Sequence, residues 1–124
     1  MTTRRKAREE AFKILFQLDI NEQIDSEYIS PFMERLVSGV LEHKKKIDQL
    51  IEKYLINWTI ERLSVVDKTL LRIAIYEICF EDDIPYAVSI NEAIELAHKY
   101  GDEKSGKFIN GILSNMIKKG DTEL

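Results

Sequence analysis

Few side chains in this sequence have the type and spacing needed for covalent or metal chemistry. Cys79 lies in the most apolar segment of the chain, which favours a small core residue over a nucleophile with a nearby base and solvent access. Glu95 and His98 have the E-x-x-H spacing of di-iron carboxylate bundles, but such a site needs a second E-x-x-H pair. The other histidine, His43, directly follows Glu42 and has no glutamate three residues before it. We therefore expect no catalytic residue, no metal site and no cofactor.

A basic cluster near the N terminus points to binding instead. It consists of Arg4, Arg5, Lys6 and Arg8. Positive charges in the first turns of a helix oppose the helix dipole and reduce stability, so a purely structural role explains them poorly. Phe12 and Phe16 continue the arginine stripe, and cations beside aromatic rings are typical of single-stranded RNA recognition. The alternative is a solvated helix end whose two phenylalanine rings pack into the core. These residues alone do not decide between RNA binding and this alternative.

The overall composition restricts how such a patch would work. The chain has 124 residues and a net charge of −4, so bulk charge does not attract nucleic acid and any RNA binding must depend on a local patch. The lone cysteine fits a reducing compartment. Neither an apolar run of the ~18 residues that a membrane span needs nor a secretory segment occurs. We expect a single cytoplasmic domain over residues 1–124.

Apolar residues spaced by three and four positions predict an all-α fold of about six or seven helices. The segment from 65 to 80 is apolar nearly all round, which predicts a helix at the centre of a bundle. Gly106 and Gly111 fall inside the last helix, so we expect a neighbouring helix to approach closely there. The expected helices cover 2–22, a stretch from Ser30-Pro31 with a break or kink near His43, a single turn at 59–63, roughly 65–80, a stretch from the Ser89–Glu92 capping box to Gly101, and 105–119.

Several longer segments carry a resemblance to a known family. They are Arg4–Glu9, Ile14–Gln17, Val66–Glu77 and IPYAVSINEAIELAHKYGDEKSGKFINGILSNM, from Ile84 to Met116. Through them the chain resembles the NusB family of bacterial transcription antitermination factors over essentially its full length. The resemblance implies two small helical subdomains, binding of boxA RNA in ribosomal RNA transcripts, and a complex with NusE, which is ribosomal protein S10. It also implies a place in the RNA polymerase antitermination complex.

The resemblance also implies which residues bind. The RNA-binding residues would be Arg4, Arg5, Lys6, Arg8, Tyr100, Lys104, Lys107 and Phe108, and the NusE-binding residues Phe16 and Asp67. Better-known members often carry an acidic residue where this chain has Lys104, which would strengthen a phosphate contact or change how this surface meets RNA. One alternative is a protein–protein adaptor with the same fold and no direct RNA contact. Another is an RNA-targeting domain of the kind fused to methyltransferases, which the short chain disfavours.

Overall fold

The computed structural model describes residues 3–21 and 27–124 of the chain. Within these two ranges the elements are α-helices and one 3₁₀ turn, with no strand, so the predicted all-α class is confirmed. The elements are α1 (Arg4–Ile20), α2 (Pro31–Lys53), the 3₁₀ turn Ile60–Arg62, α3 (Val65–Phe80), α4 (Tyr86–Tyr100) and α5 (Ser105–Lys118). The described ranges therefore hold five α-helices, and the prediction of six or seven was too high.

Two features of the structure explain why the described ranges hold fewer helices than predicted. Helix α2 runs without a break through His43, because its apolar stripe continues from Val40 to Ile47, both of which are buried in the core. The turn predicted near 59–63 is a 3₁₀ helix of three residues and not an α-helix. The predicted limits of the first helix, at 2 and 22, lie outside the described residues.

Side-chain caps begin three of the helices. The hydroxyl oxygens of Thr3, Ser30 and Ser64 each accept a hydrogen bond from the backbone N–H three residues later, at 3.0–3.1 Å. The prediction that Ser89 begins a helix was wrong, since α4 begins at Tyr86, directly after Pro85. The fixed φ of Pro85, −59°, already suits a helix start, and Ser89 lies one turn inside.

Helix α3 occupies the centre of the bundle, as predicted. It packs against α1, α2, α4 and α5, and its Leu71 and Ile75 side chains are fully buried. Cys79 is partly buried and packs against the same core, and burial raises the pKa of its thiol to about 11. This thiol is therefore protonated at neutral pH, which agrees with a packing role. No helix in the described ranges is long and apolar enough to cross a membrane.

Of the two glycines that the sequence suggested, Gly106 lies at a helix contact, since a Cβ atom there would be 3.1 Å from His98 Nε2 on α4. A Cβ atom at Gly111 would meet nothing within 4 Å, so the expected helix contact there is absent and that prediction was wrong. A closer approach is at Gly39, where α2 crosses α3 and a Cβ atom would overlap the ring of Tyr76. Gly111 lies on an exposed part of α5, where glycine has no packing role.

Candidate nucleic-acid interface

All four residues of the N-terminal basic cluster have carboxylate partners. Arg4 Nη2 lies 3.0 Å from Asp83 Oδ2, and Lys6 Nζ lies 3.0 Å from Glu10 Oε1. The partners of Arg5 and Arg8 come from more distant helices: Glu92 of α4 contacts Arg5 at 3.2 Å, and Glu77 of α3 contacts Arg8 at 2.7 Å. The cluster is thus charge-balanced by acidic residues, where the sequence suggested an isolated positive patch.

Arg8 differs from the other three because its side chain is buried. It is 3% exposed, and its Nε and Nη2 atoms donate to the two oxygens of Glu77 at 2.9 and 2.7 Å. Ser89 Oγ donates to the same carboxylate at 3.0 Å. These bonds join α1 to α3 and α4 in the interior. A phosphate cannot reach this guanidinium while the helices stay packed, so the RNA contact implied for Arg8 stays a prediction.

The remaining cations of the cluster face solvent. The side chains of Arg5, Lys6 and Arg4 are 73%, 54% and 45% exposed. The Glu92 hydrogen bond raises the pKa of Arg5 above its ordinary value. The Arg4 guanidinium lies 4.7 Å from the centre of the Phe32 ring, in cation–π contact. These exposed groups retain donors with which an anionic ligand can interact.

A row of three aromatic rings lies beside the cluster. The Phe12 ring is 5.7 Å from Phe16 on its own helix and 4.9 Å from Tyr100 on α4. The Tyr100 hydroxyl donates to Glu9 Oε2 at 2.7 Å. Lys99 donates to the same oxygen, and these two bonds lower the pKa of Glu9 to about 2. The row therefore joins Phe16, expected to face the partner protein, to Tyr100, expected to face RNA.

The other expected binding residues meet at a groove of about 700 Å³ between the loop before α3 and helix α5. Its walls include Asp67, Lys104, Lys107 and Phe108. The Asp67 backbone N–H donates to Ser64 Oγ, whereas its Oδ1 atom is buried without a hydrogen-bond partner in the described ranges. The structure thus brings together one NusE-assigned residue and three RNA-assigned residues.

Trp58 is a lining residue of this groove that the sequence patterns do not single out. Its side chain is 54% exposed, and the residue before it, Asn57, has a φ of 61°, a left-handed conformation that asparagine tolerates better than most residues. Trp58 could have been found in the sequence as a large aromatic residue in a short connection between helices, because such a residue lies outside the apolar stripe of any helix.

The partners Glu77 and Glu92 were also missed. Glu77 had a recognisable signal, since a carboxylate in a helix that is apolar nearly all round must be paired when it is buried. Glu92 had none, because its position fits an ordinary solvated helix face. In the described part of the chain, no group of three or more His, Cys, Asp or Glu side chains is arranged to hold a metal ion.

The described residues thus form an all-helical bundle with a paired arginine cluster, a row of aromatic rings and an open groove. A family model described as NusB family matches residues 5–118, and the chain belongs to that family. It is 54% identical to the transcription antitermination protein NusB of Oceanobacillus iheyensis, over 92% of this chain and 98% of that protein. Identity to the Bacillus subtilis protein of the same name is 47%, over 97% of both chains. The resemblance to the NusB family that the sequence motifs indicated is therefore confirmed.

Solved structures agree with this membership. NusB of T. maritima superposes with a TM-score of 0.87 at 44% identity, over 95% of this chain and 92% of that one. NusB in a structure of the antitermination factors NusB and NusE with double-stranded RNA gives a TM-score of 0.83 at 30% identity, over 94% of this chain and 96% of that one. The similarity therefore extends over nearly the whole helical bundle.

Proposed function

We propose that this protein binds boxA RNA of ribosomal RNA transcripts together with NusE, ribosomal protein S10, within the RNA polymerase antitermination complex. The observation that carries the proposal is the continuity between the basic cluster and the ring row. Glu9 contacts both Lys6 and Tyr100, at 3.9 and 2.7 Å, so exposed cations lie next to an aromatic ring. Guanidinium and ammonium groups bind phosphates, and rings stack on unpaired bases.

The roles of the individual residues follow from their exposure. Arg4, Arg5 and Lys6 supply phosphate contacts at one end of the surface, and the groove residues Lys104 and Lys107 extend it. Tyr100 and Phe108 offer rings for stacking. Arg8 supports this surface from the interior, and a direct RNA contact by Arg8 would require the buried pair to open.

The partner protein is proposed to bind at Phe16 and Asp67. The position of Asp67 supports this, because it lies in the first turn of α3 and in the wall of the open groove. Since the cations of the basic cluster are already paired with carboxylates, RNA affinity of the chain alone is expected to be weak. NusE would then raise the affinity by extending the RNA-binding surface.

We also propose one cytoplasmic domain over residues 1–124 with two helical subdomains. Helix α1 packs on α2, α4 packs on α5, and α3 contacts all four. The buried apolar residues of these helices form one cluster. This packing supports two helical groups that share a core through α3.

A binding titration tests the function. Labelled boxA RNA is titrated with the protein, with and without NusE, over a range of salt concentrations. Arg5→Gln should weaken binding and flatten the log–log salt dependence by about 0.7, the value for one lost single-strand phosphate contact. Lys45→Gln, an equal charge change at an exposed position on α2, is the control and should change neither. NusE binding without any boxA binding, alone or with NusE, would instead support the adaptor alternative.

A further inference from the structure

Glu92 lies between two arginines of α1 that differ in exposure. Its carboxylate accepts hydrogen bonds from Arg5 Nε at 3.2 and 3.3 Å and contacts Arg5 Nη2 at 3.2 Å. Its Oε1 atom also accepts from Arg8 Nη1 at 3.4 Å. The Glu92 side chain is 14% exposed, whereas that of Arg5 is 73% exposed. A largely enclosed carboxylate therefore binds the Nε edge of an exposed guanidinium.

The carboxylate of Glu92 is itself held in place. Arg8 donates to Glu92 through Nη1 and to Glu77 through Nε and Nη2. Glu77 is fixed in turn by Ser89. The resulting chain of contacts runs from the core to the surface in the order Glu77, Arg8, Glu92 and Arg5, so Arg5 is the exposed end of a buried network.

The contact uses only one edge of the Arg5 guanidinium. Glu92 faces the Nε and Nη2 atoms, and Nη1 makes no hydrogen bond within the described ranges. A guanidinium has five N–H donors in a planar fork and can present a second edge to a phosphate while the first stays bound. Arginine normally loses rotamer freedom when it binds. The Arg5 side chain loses less of this freedom, because Glu92 already restricts it before a phosphate binds.

We propose that Glu92 is a positioning residue for RNA binding, which holds the Nε edge of Arg5 so that its Nη1 edge binds a backbone phosphate. This inference rests on the proposed RNA-binding function. Glu92 also carries a negative charge that repels phosphate, and a purely repulsive role is the competing account. The geometry favours positioning, because two guanidinium groups share the Glu92 charge and offset its repulsion.

Removal of Glu92 and of its neighbour Glu95 separates the two accounts. Glu95 lies one turn along α4, lines the same cleft as Arg5, and affects the Arg5 pKa by charge alone. Glu92→Ala should weaken boxA binding about two- to fivefold, the size of effect expected for an exposed ion pair. Glu95→Ala should leave binding unchanged or strengthen it. Glu92→Gln keeps an acceptor oxygen and should recover most of the affinity. If Glu92→Ala and Glu95→Ala both strengthen binding, positioning is wrong.

A double-mutant cycle with Arg5→Ala shows whether Glu92 acts through Arg5. In the Arg5→Ala background, Glu92→Ala should have no further effect on boxA affinity. If Arg5→Ala alone leaves binding unchanged, the RNA role assigned to Arg5 fails, and the inference fails with it. If Arg5→Ala weakens binding but Glu92→Ala does so equally in both backgrounds, only the positioning inference fails. Thermal unfolding of each variant identifies losses that are due to misfolding.

Discussion

Replacement of Arg8 by methionine tests the buried ion pair most directly. Arg8→Met keeps much of the side-chain length but leaves Glu77, a 1% exposed residue, with only the Ser89 hydroxyl as a hydrogen-bond donor among the described residues. Removal of one partner of a buried pair typically costs about 3–5 kcal/mol. The charge removed also opposed the helix dipole, but Arg8 is the fifth residue of α1, beyond the first turn where the dipole acts most strongly, so this effect recovers at most about 1 kcal/mol. The net expected loss is therefore about 2–4 kcal/mol.

Urea unfolding followed by far-ultraviolet circular dichroism measures this loss, with Arg5→Met as the matched control. The control removes the same group from an exposed position and should change the stability little. The dipole argument from sequence predicts the opposite sign, a small gain in stability for both variants. If Arg8→Met unfolds at the same urea concentration as the unmodified protein, the buried pair does not stabilise the fold.

A double variant then separates the ion pair from the packing around it. Replacement of a buried pair by apolar residues of similar volume is often neutral or stabilising, so Arg8→Met with Glu77→Leu should recover most of the lost stability. The same variant tests RNA binding by Arg8 in a folded protein. If the role of Arg8 is structural, boxA affinity should fall no further than it does in Glu92→Ala, because Arg8 also holds Glu92. A larger loss of boxA binding in the stable double variant would restore a direct phosphate contact.

The remaining predictions concern packing, pH and the partner. Gly39→Ala should destabilise by about 1–3 kcal/mol through overlap with the Tyr76 ring, whereas Gly111→Ala should not destabilise, and equal urea midpoints for both would contradict this crossing. Glu9, whose pKa is lowered from 4.5 to about 2, contributes stability that is fully present above pH 4.5 and is lost as the pH falls through about 2; the difference in unfolding free energy between the protein and Glu9→Gln should shrink over that interval, and a constant difference would refute it. Asp67→Lys should weaken NusE association measured by calorimetry, and a fall in melting temperature with unchanged NusE affinity would show that Asp67 acts only at the helix start.

The local part of the fold could be predicted from sequence, and the long-range part could not. The helix starts at Ser30-Pro31 and near residue 65 were placed correctly, because a helix start depends on three or four neighbouring residues. The capping-box pattern at Ser89 was misleading, because Pro85 starts the helix earlier and the Ser89 hydroxyl is used by Glu77 on another helix. Gly39 was missed for the same reason, since its contact with Tyr76 depends on where two helices cross.

The binding surface shows the same division. The basic cluster is continuous in sequence and was readily found, but the acidic partners of its three arginines are 69, 79 and 87 positions away at Glu77, Asp83 and Glu92. No periodicity links residues at such separations. The sequence could therefore indicate where cations are concentrated, but not that they are paired, nor that Arg8 is buried while Arg5 is exposed.

These distant partners also explain how a basic segment can begin a helix. The first turn of α1 contains no acidic residue, and the later Glu9 and Glu10 of the same helix offset Lys6 but none of the three arginines. Glu77 from α3, Asp83 before α4 and Glu92 on α4 offset them instead, and the segment is stabilised only when the bundle has formed. The cluster thereby contains two kinds of cation. Exposed pairs contribute little to stability and leave cationic donors available to a phosphate, whereas the buried pair of Arg8 is too costly to open. RNA affinity should therefore depend on the exposed pairs, and stability of the surface on the buried one.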